Sequence, residues 1–189
     1  MTPSQLAKES ESSHQQAVFC WANMAARHGI EAADDERCYK EPGYAEQVYG
    51  TTDAIYELRW LHHIPNGGSR GDTEKSRMIR GAKLKAEGVK DGVLDIYLPA
   101  PKLVDQSDFE TFGEHVNPKV LGGFAVVCGL YIEMKKPSER PVKATSKGGV
   151  RESQKEFINY AKTAGYVAVV CYNYVEAIGY LREYCKRGF

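Results

Sequence analysis

Phe124-Ala125-Val126-Val127-Cys128-Gly129-Leu130-Tyr131-Ile132-Glu133-Met134-Lys135 is a long apolar run that carries one acidic side chain near its end and closes on a lysine. Read as a strand, successive side chains alternate between two faces. Leu130, Ile132 and Met134 then enter a core, while Tyr131, Glu133 and Lys135 share the other face. A carboxylate and an ammonium side by side at a strand end suit metal-assisted hydrolysis, the first holding a hard cation and the second orienting or polarising the attacking water. A solvated strand face also carries such pairs, so the reading needs partners elsewhere in the chain.

The nearest partner lies upstream. Gly92-Val93-Leu94-Asp95-Ile96-Tyr97-Leu98-Pro99 reads as a strand stopped by proline, with Asp95 set among apolar neighbours where a carboxylate calls for a partner or a cation. A hairpin of Val93–Leu98 with 124–135 brings Asp95 to Glu133 across 38 positions of sequence. The two carboxylates form a site for Mg²⁺ or Mn²⁺ with water completing the shell.

Outward from this hairpin the chain alternates helix and strand. Ser10 to Ser13 offers caps for a helix whose apolar side chains (Ala17, Val18, Trp21, Met24, Ala25) recur at helical spacing up to Gly29. Glu11 sits at its entrance, where the residues alone favour the reading of a charge at the dipole's positive end. Residues 31–52 read as a loop or irregular insertion. Asp53–Trp60 predicts a short helix and Leu61–Ile64 a brief strand, on which His62 and His63 point to opposite sides and make a poor metal pair. The glycine-rich Pro65–Gly71 that follows is equally a cradle for an anion and a flexible turn.

Asp72 or Thr73 caps a helix to about Glu87 that carries Lys75, Arg77, Arg80, Lys83 and Lys85 against Glu74 and Glu87. Such a run is a solvated face unless it borders a nuclease site, where it becomes a phosphate-contacting one. Residues 100–122 read as a loop, and 138–150 as a second, basic loop with Arg140, Lys143 and Lys147. Phe157, Ile158, Ala161 and Ala164 mark an amphipathic helix closed by Gly165, with Gln154 in its first turn. Tyr166–Tyr172 predicts a buried parallel strand, and Asn173 with Glu176 caps the last helix. The sum is an α/β fold with a central mixed β-sheet flanked by helices, in a single domain spanning 1–189.

Composition sets the boundaries. The 189 residues are 42% hydrophobic and 26% charged, an ordinary globular balance. Lys+Arg and Asp+Glu match at 25 each, so net charge gives no argument for nucleic acid and only local segregation does. The five cysteines are odd in number and scattered, which points to a reducing compartment rather than a disulfide framework or a zinc site; Cys128 and Cys171 read as small buried apolar residues. The polar stretch Met1–Glu11 and the absence of any long apolar run lead to the expectation of a cytoplasmic protein without membrane association.

The order Asp…Glu-x-Lys on a hairpin followed by a helix resembles the PD-(D/E)xK nuclease superfamily. More specific text surrounds it: His63-Ile64-Pro65-Asn66-Gly67-Gly68-Ser69-Arg70, Leu84-Lys85-Ala86-Glu87-Gly88-Val89 into Gly92–Asp95, Gly129–Lys135, Ser153-Gln154, Gly165-Tyr166 and Val170-Cys171-Tyr172. Together with Glu11, Gln15, Phe19 and Trp21-Ala22, these closely resemble the VRR-NUC (virus-type replication-repair nuclease) family over nearly the whole chain, as a stand-alone module. The resemblance implies a restriction-endonuclease-like core with loop insertions at 31–52 and 100–122. It implies a Mg²⁺/Mn²⁺-dependent deoxyribonuclease with Asp95, Glu133 and the Met134 main-chain carbonyl as metal ligands and Lys135 as catalytic lysine. Gln154 then positions water or phosphate, and Glu11 binds a second cation or its water. Asn66, Gly67, Gly68, Ser69, Arg70, Arg80, Lys83, Lys85 and Lys147 are the candidate DNA contacts. Stand-alone phage and bacterial members imply a homodimer that resolves Holliday junctions in a bacterial or phage-infected cell. Flap, nick or end processing, and non-catalytic DNA binding on the same fold, are the alternatives. Where the family usually has proline before the first aspartate, this chain has Leu94, which alters backbone shape and not the ligand.

Overall fold

The computed structural model describes residues 1–8, 10–65, 73–105, 115–116, 120–121, 124–142 and 149–186. Its strands are β1 (His62–His63), β2 (Ile96–Leu98), β3 (Lys102–Asp105), β4 (Val120–Leu121), β5 (Phe124–Val127), β6 (Leu130–Met134) and β7 (Val167–Cys171). Its helices are α1 (Pro3–Leu6), α2 (Glu11–His28), α3 (Ile30–Asp34), α4 (Arg37–Lys40), α5 (Tyr44–Val48), α6 (Glu74–Ala86), α7 (Glu152–Thr163) and α8 (Tyr174–Lys186). Short 3₁₀ turns occupy Tyr56–Trp60 and Pro137–Glu139.

The architecture is mixed α/β. A four-stranded sheet runs in the order β1-β2-β6-β7, antiparallel except for the parallel β6–β7 pair, and a smaller sheet runs β3-β5-β4. The parallel pair is joined through α7, the crossover that such pairing requires.

Ser10 caps α2, its hydroxyl accepting from the Ser13 N–H at 3.1 Å, and Gly29 ends the helix. One stripe of α2 (Ala17, Val18, Trp21, Ala22, Ala25) is buried and packs with α8 against the sheet face of Leu130, Ile132 and Met134, each 0% exposed. Burying such a side chain contributes about 1.5–3 kcal/mol before ordering costs. The opposite face is covered by α7, where Leu94, Ala161 and Ala168 pack with Tyr131, Phe157 and Ile158. The alternation expected along 130–134 therefore holds, but its second face is enclosed rather than solvated.

The hairpin differs from the expected one in an instructive way. The run 124–135 is two strands, and its first half pairs with β3, which lies inside the segment 100–122 expected as a loop. Leu98 opposes Leu130 and Lys102 opposes Val127, so Pro99-Ala100-Pro101 faces Cys128-Gly129, three residues against two. Proline supplies no N–H to a ladder, so the pairing breaks there and resumes one residue out of register. Gly129 belongs at this crossing: a Cβ on it would lie 2.8 Å from the Leu98 carbonyl oxygen and 2.9 Å from Tyr97 Cε2.

Residues 31–52 are likewise not irregular. They hold α3, α4 and α5, whose Ala32, Ala33, Cys38 and Ala45 belong to the main core cluster. Small side chains bury a narrow stripe, which leaves the segment reading as polar. Asp53–Trp60, expected as a short helix, forms only the 3₁₀ turn at 56–60. Cys171 is buried as expected, whereas Cys128 is only half-buried. Among the described residues no helix is long and apolar enough to cross a membrane.

Candidate active site

Asp95 lies just before β2, and continuing the β2–β6 register by one step sets it opposite Glu133. It is buried, and its Oδ2 accepts the Met134 N–H at 2.9 Å, so the backbone between Glu133 and Lys135 is tied to the first carboxylate. Its own carbonyl accepts the Ile64 N–H at 2.7 Å, which fixes β1 alongside.

Glu133 is 1% exposed. Its Oε1 accepts from Lys135 Nζ at 2.5 Å and also from Gln154 Nε2. Its Oε2 is buried with no hydrogen-bond partner among the described residues. Gln154 is held for this task by its place in α7: its Oε1 accepts the Arg151 N–H at 3.0 Å, so the side chain reaches back over the helix start and turns its amide nitrogen to Glu133. Gly92 sets the approach of the Asp95 segment to the same helix. It has φ +89°, and a Cβ there would lie 2.3 Å from the Ser153 carbonyl oxygen.

The electrostatics follow from burial of like charges. Burial first, then Asp95 and Glu11, push the Glu133 carboxyl up to about 7 against the pull of Lys135. Burial works against the Lys135 ammonium, but Glu133, Glu11 and Asp95 outweigh it and hold its pKa above the ordinary lysine value. Its Nζ donates to Glu133 Oε1, as an ammonium does. Glu11, in the first turn of α2, has its pKa raised by burial, opposed by Lys135 and reinforced by Asp95 and Glu139. Asp95, Glu133, Glu11 and Glu139 face Lys135 and Lys136, an excess of carboxylate that a divalent cation would neutralise.

Among the described residues no three His, Cys, Asp or Glu side chains come together as a metal-ligating group. Asp95 and Glu133 Oε2, which has no hydrogen-bond partner among the described residues, could hold a hard cation together with the Met134 carbonyl and water.

The structure thus groups Asp95, Glu133, Lys135 and Gln154, with Glu11 within electrostatic reach. His62 and His63 are both exposed; His63 lines a groove along α2 with Glu11, Gln15 and Phe19. Arg80, Lys83 and Lys85 are exposed on α6, a helix none of whose described side chains is buried. Arg140 is engaged by Glu176 and lies over the Tyr172 ring. Asn66, Gly67, Gly68, Ser69, Arg70, Lys143 and Lys147 lie outside the described residues. Glu139 and Gly92 join the site without having stood out in the sequence; Gly92 had a signal in its position three residues before an isolated acid, Glu139 had none.

No protein-family model, curated protein or solved structure matches this chain.

Proposed function

We propose that the chain is a Mg²⁺- or Mn²⁺-dependent, structure-selective DNA endonuclease of the VRR-NUC kind on a restriction-endonuclease-like core, acting as a homodimer on four-way junctions. The observation that carries the reading is Glu133: a buried carboxylate with one oxygen held by Lys135 and Gln154 and the other, near Asp95, without a hydrogen-bond partner among the described residues. Burying this cluster of acid costs stability, which a hydrolytic metal site would explain.

In this reading Asp95, Glu133 and the Met134 carbonyl hold the ion, and Glu11 contributes to a second site or to bound water. When bound, the ion supplies Lewis-acid polarisation of the phosphate and lowers the pKa of its water. Lys135, kept protonated by its carboxylate neighbours, donates to the attacking oxygen or to the phosphate as negative charge develops. Gln154 keeps Glu133 turned toward the ion. Arg80, Lys83 and Lys85 engage phosphates away from the cut. Two such sites related by a two-fold axis match the symmetry of a four-way junction.

The test is incubation of labelled four-way junction, flap and linear duplex with Mg²⁺ or Mn²⁺. Junction cleavage in paired, symmetric cuts that vanishes in Glu133→Ala supports the reading. No cleavage of any substrate, or full activity in Glu133→Ala, overturns it, and flap cleavage alone moves the assignment to flap processing.

A further inference from the structure

The site face of the sheet carries a second row of side chains beside the acidic one. Register places Tyr131, Tyr97 and His62 opposite one another on β6, β2 and β1. Their rings touch in sequence: Tyr131 and Tyr97 stack at 4.3 Å between centroids and 16° between planes, and His62 meets Tyr97 edge-on at 5.5 Å. The inner part is closed, with Phe157 of α7 edge-on to Tyr131 at 5.1 Å and Tyr166 edge-on to Tyr131 at 5.4 Å and to Tyr97 at 6.1 Å. The outer end is open. His62 is exposed, and Trp60, two residues earlier and separated from it by buried Leu61, is 70% exposed.

This row lies two residues along each strand from the carboxylates, Tyr97 from Asp95 and Tyr131 from Glu133, or about 7 Å at strand rise. A strand of nucleic acid whose phosphate lies at the carboxylates therefore has a neighbouring base within reach of the rings. The rings are flat and polar-tipped, which suits a base more than an aliphatic protein surface. β1 is only two residues long, too short a ladder to recruit an added strand. Arg59, exposed beside Trp60, supplies a cation for the backbone of the same strand.

We propose that Trp60 and His62, the exposed rings at the end of the row that Tyr97 and Tyr131 back, form a stacking platform for an unpaired base of the DNA strand held at Asp95 and Glu133, so that the substrate carries a nucleotide that is unstacked beside the scissile phosphate. The inference rests on the nuclease reading for the place of the phosphate, and on the ring row alone for the base.

The chain contains two tryptophans, and Trp21 is 2% exposed, so the accessible emission belongs to Trp60. The full chain in EDTA is titrated with a single-stranded oligonucleotide and with the matching blunt duplex, following tryptophan emission and, by labelled DNA, affinity. The strand is expected to quench emission and the duplex to leave it unchanged. Trp60→Ala with His62→Ala should weaken strand affinity about 5- to 100-fold, with Trp60→Phe close to wild type and duplex affinity unmoved. Unchanged emission with bound strand, or equal losses on strand and duplex, overturns the platform. Junction cleavage that persists beside unmoved emission removes the platform alone; quenching without cleavage of any DNA removes the nuclease reading alone.

Discussion

Gln154 and Lys135 converge on one oxygen of Glu133, and that same glutamine accepts the N–H of Arg151, the residue just before the helix that supplies it. Gln154→Ala should thus lower activity and Mg²⁺ affinity about 10- to 100-fold, as loss of a group that orients a metal ligand does. It should also destabilise the protein by about 1 kcal/mol through removal of the cap. Cleavage rates against Mg²⁺ concentration, with a denaturant melt, separate the two effects. Wild-type Mg²⁺ dependence in the variant would refute the positioning role.

The raised carboxyl of Glu133 gives a signed pH dependence. Its pKa is about 7 in the fold against 4.5 for an ordinary glutamate, so between these values the native state binds more protons than the unfolded chain. Its contribution to stability is fully present below about 4.5 and is lost as pH rises to 7. In EDTA the melting temperature should therefore fall by a few degrees from pH 5.5 to pH 8 on account of this group, and Glu133→Gln should flatten the slope. Added Mg²⁺ must displace the proton, so its stabilisation should be larger at pH 8 than at pH 5.5. Thermal melts across that range with and without Mg²⁺ check both signs.

Gly92→Ala places a methyl group against the Ser153 carbonyl at a backbone conformation that alanine resists. The Asp95 segment must then move off the start of α7. A loss of about 2–4 kcal/mol in stability is expected, with cleavage reduced beyond what the folded fraction explains. Urea melts and activity per folded molecule measure this. Gly88→Ala, at φ +94° with open space around it, should cost less and spare activity.

Lys83→Glu with Lys85→Glu should weaken DNA binding at low salt and reduce the slope of log affinity against log salt by about 1 for each phosphate no longer neutralised. The cleavage rate at saturating DNA should stay near wild type, because Lys83 and Lys85 are exposed on α6 and Lys83 pairs with Glu87 of its own helix end rather than with the carboxylate cluster. Affinity measured across a salt series decides it. A slope identical to wild type would move the DNA path elsewhere.

Light scattering should give a particle of twice the 21.1 kDa chain mass in free solution, or of the junction DNA plus two chains when bound. A monomer in both conditions would favour flap or end processing.

How much of this was legible in the sequence varies with the physics involved. Glu133, Lys135 and Asp95 were readable because a charge inside an apolar run demands an explanation, and strand alternation says which charges share a face. The caps at Ser10 and Asn173 were readable because their chemistry is local; Asn173 Oδ1 accepts the Glu176 N–H at 2.9 Å. The break at Pro99-Ala100-Pro101 was visible as prolines, but that pairing would resume beyond them depended on β5, a partner strand distant in sequence. Residues 31–52 misled because alanine buries with little hydrophobic signal. The enclosure of Glu133 by α7 was not legible, since which helix covers which sheet face is settled by packing across the whole chain.

The double duty of Gln154 also bears on when the carboxylate cluster takes shape during synthesis. Glu133 is not set until α7 has wound its first turn, and the Lys135 N–H finds its acceptor only on Cys171, at the end of β7. Asp95, Glu133 and Lys135 all precede both supports in the chain, so they leave the ribosome before either is made. A chain truncated ahead of β7 lacks the acceptor for the Lys135 N–H. In the proposed nuclease, competence to cut would arrive only with the completion of the fold.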